Sequence, residues 1–171
     1  MIRHAKVEDI GQILDITRKV NINNVLDTSN GFLLTERSYD FYENTINSNY
    51  FYVYEINDKI VGFIIAYPKE MIESMEKIDE YHAYLLENFK NENFIFIFQI
   101  AIDPEFQKQG IGKELHEYLF ENAEIKNFIV ATSKKPLNEA SRIFHKKLGF
   151  EDIDTFTWST GYENYIYRLK K

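Results

Sequence analysis

The chain has no cysteine among its 171 residues, which excludes disulfides, a cysteine nucleophile and any thiolate-held metal. Glycine and proline are scarce, seven and three, and there is no internal repeat or low-complexity tract, so those that occur punctuate individual turns. No apolar stretch approaches the roughly 20 residues that cross a bilayer, and no apolar leader opens the chain. A cytoplasmic protein that neither spans nor enters a membrane is the expectation. A net charge of -7 leaves no excess of cations for broad nucleic-acid binding and mildly favours cationic partners. The four histidines show no metal-ligand spacing such as His-Glu-x-x-His, so no metal is expected. What the chain does have is 44% hydrophobic residues, enough for one well-filled core, and residues 1–171 read as one domain.

The most informative stretch runs from Phe94 to Asn122. Phe94, Ile95, Phe96, Ile97, Phe98, Ile100 and Ile102 form a nearly continuous apolar run of aromatic and β-branched residues, as in a central strand covered on both faces. Asp103 and Pro104 end it, and Leu115, Tyr118, Leu119 and Ala123 then recur at helical spacing. Between strand and helix lies Gln107-Lys108-Gln109-Gly110-Ile111-Gly112. A loop of this kind gathers unpaired backbone N–H groups and the positive end of a helix dipole at one point, which suits a phosphate or pyrophosphate. It is not a P-loop, because no Ser or Thr follows Gly112 and Lys113. Nor is it the dinucleotide fingerprint, whose third glycine is replaced by Leu115.

The pattern Gln-x-x-Gly-x-Gly, leaving a strand through Asp-Pro-Glu and entering a helix, resembles the pantetheine-pyrophosphate loop of the GNAT superfamily of acyl-CoA-dependent N-acyltransferases. A second stretch renews the resemblance in the proper order. Asn138 through Phe150 is similar to the family signature Asn-x-x-Ala-x-x-Leu-Tyr-x-Lys-x-Gly-Phe, with Asn138 placed to cap a helix and Gly149 to end it. The remaining elements agree with that order. Ile2–Ala5 reads as a short strand and Ile10, Ile13, Leu14, Thr17 and Val20 as one helix face, followed by a polar loop from 21 to 35. Ser38 caps a helix burying Tyr39, Tyr42 and Ile46. Residues 50–56 and 59–67 form a hairpin turning at Asn57 and Asp58. Phe128–Thr132 is a strand parallel to the central one, and residues 153–159 and 164–169 form a second hairpin through Gly161. The departure is a helical insertion at about 69–92, where Met71, Met75, Ile78, His82, Leu85 and Phe89 predict one long amphipathic helix. It is placed to cover a sheet edge, line an acceptor pocket or pair with a second copy in a homodimer, and His82 on its apolar stripe reads as a packed histidine.

The resemblance implies an α/β fold whose mixed, largely antiparallel sheet has a central parallel strand pair splayed around the coenzyme. It further implies an enzyme that moves an acetyl group from acetyl-CoA to a primary amine of a small molecule, peptide or protein. By the same resemblance the backbone of Ile100, Ala101 and Ile102 meets pantetheine, Gln107, Lys108, Gln109, Gly110, Ile111, Gly112 and Lys113 hold the pyrophosphate, and Asn138, Ser141, Phe144 and Lys147 meet pantetheine or the nucleotide end. Two positions depart from the family. His145 stands where a tyrosine commonly protonates the departing thiolate, and is either that acid or a helix-surface residue. Phe96 and Phe98 stand where a carboxylate base is common, leaving Gln99 as a group that could orient a water. These losses keep open a second reading, a catalytically inactive acyl-CoA-binding sensor or interaction module.

Overall fold

Seven strands, Ile2–His4 (β1), Tyr50–Ile56 (β2), Lys59–Pro68 (β3), Ile95–Ile102 (β4), Asn127–Lys135 (β5), Glu151–Thr157 (β6) and Glu163–Lys170 (β7), form a sheet of order β1-β2-β3-β4-β5-β7-β6. The computed structural model describes residues 1–47 and 50–171. The helices are Ile10–Val20 (α1), Tyr39–Thr45 (α2), Lys69–Glu73 (α3), Glu80–Asn88 (α4), Ile111–Asn122 (α5) and Glu139–Lys147 (α6). The sheet is mostly antiparallel with one parallel pair, β4 and β5, as expected from the helix that connects them. By Cα packing the chain divides into two compact units, Met1–Ala66 with Gln99–Ala123, and Tyr67–Phe98 with Glu124–Lys171.

In the first unit β2 and β3 are joined at Asn57 and Asp58, whose φ angles of 48° and 62° are those a tight two-residue hairpin turn requires. The buried face of α1 is Ile10, Ile13, Ile16, Thr17 and Val20, and Gln12 Oε1 takes the Ile60 amide at 2.9 Å, fixing the helix to the start of β3. Ser38 Oγ accepts the Phe41 amide at 3.2 Å and so caps α2, as its residue type predicts. Of the residues expected on the inner face of α2, Tyr42 is fully buried, within 6.3 Å of the Phe51 ring and 6.2 Å of Phe63. Tyr39, in contrast, is exposed.

In the second unit β5 pairs with β7 along its length, and β7 with β6, while the parallel ladder with β4 covers only Ile95–Ile97 against Phe128–Val130. The long helix expected from Met71 to Phe89 is two helices. Met75 and Ile78 lie in the break, Met75 half-buried and Ile78 exposed, and the buried residues become Ile72, Tyr81, His82, Leu85 and Phe89. The cause is local: Asp79 Oδ1 accepts the His82 amide at 2.8 Å, so the side chain caps a new helix instead of letting the first continue. α4 is then held to the β6–β7 hairpin, where Glu80 accepts from Ser159 (2.8 Å from its amide, and from its hydroxyl) and Tyr84 donates to Asp154. Its far end is closed by Lys69, a buried ammonium that donates to the carbonyls of Phe89, Lys90 and Glu92 at 3.3, 2.7 and 3.2 Å. The ammonium thus ties down the turn that follows α4, with Glu73 Oε1 also 3.8 Å away. The buried apolar residues of 69–92 are thus covered within their own unit, and Ile78 stays exposed.

Candidate functional site

The loop after β4 is shaped by Asp103, which is 1% exposed. Its carboxylate accepts the Glu105 amide at 3.1 Å and faces Lys19 Nζ at 2.8 Å and Lys59 Nζ at 3.6 Å. Burial pushes this carboxyl upward, but the Lys19 hydrogen bond, the Glu105 amide and the charges of Lys19 and Lys59 together hold it below the usual carboxylate range. A single-turn helix over residues 104–106 follows. Gln107 Nε2 then folds back to donate to Ile102 O, and Gln109 Nε2 to Glu105 O, both at 3.3 Å. Lys108 adopts φ 62° and Gly110 φ 90°, two left-handed residues in three. For lysine that conformation is strained, and only glycine takes it freely.

This kink delivers the chain into α5 with no side-chain cap. Glu114 is the first residue of the helix to reach a carbonyl, Gly110 O at 3.0 Å, so helix geometry leaves the amides of Ile111, Gly112 and Lys113 without an intrahelical acceptor. Residues 108–110 are exposed, and Lys113 carries an exposed ammonium in the first turn. Glu114 would oppose an anion here, but Tyr54 donates to its Oε2 at 2.9 Å and holds the carboxylate in place. The donor set (three helix-start amides, a glycine corner and lysine cations) matches the chemistry of a pyrophosphate.

The strand that leads into this loop offers only half of its amides. The Asp103 amide donates to Val61 O at 2.8 Å, so it points at β3. Because successive residues of a strand point their N–H and C=O groups to alternate edges, those of Ala101 also face β3 and those of Ile100 and Ile102 face away. The proximity of Ala101 O agrees: a Cβ built on Gly62 would meet it at 3.2 Å and Ile102 Cδ1 at 2.6 Å. Of the three residues expected to meet pantetheine through their backbone, Ala101 turns its polar groups to the β3 edge. Side chains alternate too. Gln99 and Ala101 are buried, while Phe98, Ile100 and Ile102 stay half-buried.

Gln99 is on the closed face. Its Oε1 accepts from the Tyr42 hydroxyl at 3.0 Å, and burial pushes the Tyr42 phenol up to about 12, so that hydroxyl stays protonated and donating. The amide N–H2 is the part of Gln99 left to act on anything else.

In the second unit, Asn138 is buried and its Oδ1 takes the Ser141 amide at 3.2 Å, the cap its sequence position predicts. Ser141 and Phe144 are half-buried and Lys147 is exposed. His145, expected to be an acid or a surface residue, is instead core: it is 2% exposed, with rings of Phe144 and Phe150 at 5.3 and 5.5 Å. Burial lowers its pKa to about 4, a backbone contact to Ser141 only partly opposing this. Nδ1 lies 2.8 Å from Ser141 O, and a carbonyl can only accept, so the neutral ring carries its proton on Nδ1 and its lone pair on Nε2. That is a proton acceptor's state at neutral pH, not a donor's. Gly149, at φ 95°, turns the chain so that Phe150 returns to the His145 ring, its amide donating to His145 O at 3.1 Å.

The sequence reading missed the Tyr42–Gln99 pair, which joins residues far apart in the chain, and the Asp79–His82 pair, which the Asp-x-x-His spacing at a helix start could have shown. Among the described residues no group of three or more His, Asp or Glu could hold a metal ion, and no helix is long and apolar enough to cross a membrane.

The acetyltransferase (GNAT) family model matches residues 20–150. No curated protein matches the sequence. Among solved structures, an N-acetyltransferase from Staphylococcus aureus Mu50 is similar at 21% identity and TM-score 0.65, over 99% of this chain and 97% of that one. The ribosomal-protein-S18-alanine N-acetyltransferase of Escherichia coli gives 16% identity and TM-score 0.64, over 99% and 92%. A Drosophila melanogaster polyamine N-acetyltransferase that forms N-acetylagmatine gives 13% identity and TM-score 0.69, over 100% and 99%. These identities speak to the fold, while the family model covers most of the chain and takes in the loop of residues 107–113: the chain belongs to the GNAT family of acetyl-CoA-dependent acetyltransferases.

Proposed function

We propose that the 171 residues act as one cytoplasmic N-acetyltransferase domain, with residues 69–92 its helical insertion, transferring acetyl from acetyl-CoA to a primary amine of a small molecule, peptide or protein. The observation that carries this is the uncapped start of α5, where Gly110 at φ 90° leaves three amides beside two lysines. In this reading residues 107–113 bind the pyrophosphate, chiefly through backbone N–H groups. Bound acetyl-CoA supplies an acyl group activated as a thioester. The amides of Ile100 and Ile102, the ones turned away from β3, hold pantetheine and donate to the carbonyl oxygen as negative charge develops on it. Of the positions carried by the family resemblance in the second unit, Ser141, Phe144 and Lys147 are accessible to the coenzyme, and Asn138 serves through the cap that fixes α6. Gln99 acts only through its amide donors, its carbonyl being committed to Tyr42. His145 takes no part as an acid, and the thiolate leaves without its proton.

The acceptor class is the finer point. The similar structures bear names that span a protein N-terminus and a polyamine, so they do not choose between these. The net negative charge mildly favours cationic acceptors of either kind. The alternative, an inactive acyl-CoA-binding sensor, is favoured by one observation, the neutral buried state of His145 where the family has its acid. Calorimetry with acetyl-CoA, followed by thiol release with polyamines, aminoglycosides, amino acids and peptides, tests both. Binding with turnover supports the enzyme, binding with no turnover on any amine the sensor, and absence of binding removes both.

A further inference from the structure

The second unit holds a cluster of rings at the start of α4 that neither the coenzyme loop nor α6 accounts for. His82 is 8% exposed, and its Nδ1 lies 3.1 Å from Asp79 Oδ1, the same oxygen that accepts the His82 amide. One carboxylate oxygen thus fixes both the backbone and the ring. Since a carboxylate only accepts, the neutral imidazole carries its proton on Nδ1 and presents a lone pair on Nε2. That nitrogen is buried and has no hydrogen-bond partner among the described residues. The ring lies 5.8 Å from Phe96, edge to face, and 6.4 Å from Tyr67. Tyr81 stands 5.2 Å from Phe96, and its buried hydroxyl likewise has no partner among the described residues. Two polar groups closed off from water without partners are unfavourable, and each calls for an explanation, such as a catalytic role, an ordered water or an ion.

The chemistry selects what that partner is. A nitrogen lone pair needs a hydrogen-bond donor, and aromatic walls accept a cationic or partly apolar amine. Phe96 and Phe98 stand two residues apart on β4, so by strand alternation their side chains share one face of that strand, Phe96 buried and Phe98 half-buried. The segment from Glu76 to Glu80 that enters α4 is exposed at every residue, so this end of the cluster borders solvent.

We propose that His82, oriented by Asp79, is the proton acceptor for the acceptor amine, supplied by the insertion in place of a carboxylate on β4. This deepens the acetyltransferase reading and rests on it. Nε2 takes the proton from the amine nitrogen as the N–C bond to the acetyl carbon forms and the C–S bond breaks with its electron pair on sulfur. The products are the N-acetyl amine, CoA thiolate and a His82 imidazolium stabilised by Asp79; that proton then passes to solvent or thiolate. Tyr81, whose hydroxyl can donate or accept, orients the acceptor.

The test uses the full chain with acetyl-CoA and three amines, phenethylamine, spermidine and a peptide with a free N-terminus, taking whichever turns over fastest. His82→Gln should lower the single-turnover rate roughly 100-fold or more, the usual reach of a general base, with the acetyl-CoA Kd unchanged. Asp79→Asn keeps a capping side chain and so should keep the melting temperature, yet lower kcat with KM for acetyl-CoA unchanged, and Asp79→Glu should restore part of it. In 15N-histidine-labelled wild type with bound CoA, the amine should shift the His82 Nε2 resonance, a measurement that needs no variant to fold. Wild-type rates in His82→Gln, or an Nε2 resonance indifferent to the amine, overturn the proposal. Failure of wild type to bind acetyl-CoA overturns the acetyltransferase reading itself, and this with it.

Discussion

α5 and α6 both begin at positions that the family resemblance gives to the coenzyme, and they begin differently. α6 starts with Asn138, whose own side chain takes the Ser141 amide, so its orphan donors are partly satisfied from within. α5 starts with Gly110, which has no side chain to offer, and the chain reaches it through a strained left-handed Lys108. A helix start that forgoes its cap keeps its amides for something else. The difference teaches that one start satisfies a donor from its own side chain while the other leaves its donors unmet within the helix, and that a shared family role does not mean a shared physical one.

The sharpest way to break this comparison is Gly110→Val. At φ 90° a β-branched side chain is strained wherever it points, and its Cβ would lie 3.8 Å from Glu114 Oε1. Acetyl-CoA affinity measured by calorimetry should fall roughly 100-fold, about 3 kcal/mol, on protein that remains folded by circular dichroism; an unchanged Kd would remove this loop from the binding site.

His145, on α6, gives an effect of similar size that acts on stability. Its folded pKa of about 4 lies below the ordinary 6.5, so between those values the unfolded chain binds the extra proton. The stabilisation is complete above pH 6.5 and is lost as pH falls toward 4, by up to roughly 3 kcal/mol. Urea midpoints at pH 7.5 and 5 should therefore diverge more for wild type than for His145→Phe. Equal pH dependence in the two proteins would mean that the ring is not buried in solution. The transfer rate of the variant should remain within a few-fold of wild type, because no acid is lost.

Asn138→Ala is the smallest and cleanest contrast. Loss of a cap costs about 1 kcal/mol, visible as a lower melting temperature, while the acetyl-CoA Kd should move by less than threefold. A Kd that rises tenfold with little change in melting would make Asn138 a ligand contact first and a cap second.

Much of this could be read in the chain. The hairpin turn at Asn57 and Asp58, the Ser38 and Asn138 caps, the Gly149 stop and the strand-loop-helix unit around Gly110 all stand where their residue types place them. The single helix from Met71 to Phe89 did not survive because apolar spacing does not register a break, here residues 74–79, and in the first half the buried residue is Ile72 and not Met71. Asp79 carried the signal, as a capping residue within the run.

The sequence by itself determined what depends on residues within a turn of one another: caps, glycine corners, helical and strand periods, and the motif of the loop, because those interactions close over three or four residues. Tertiary structure decided what depends on neighbours distant in the chain. Tyr42 reaches Gln99 across 57 positions and takes its carbonyl. The pairing of Asp103 with Val61 turns Ala101 toward β3 and the amides of Ile100 and Ile102 away from it. Phe150, brought back by Gly149, helps close His145 in a core where an imidazolium is too costly to form at neutral pH. Charge state and donor direction are properties of surroundings, and surroundings exist only once the chain has folded.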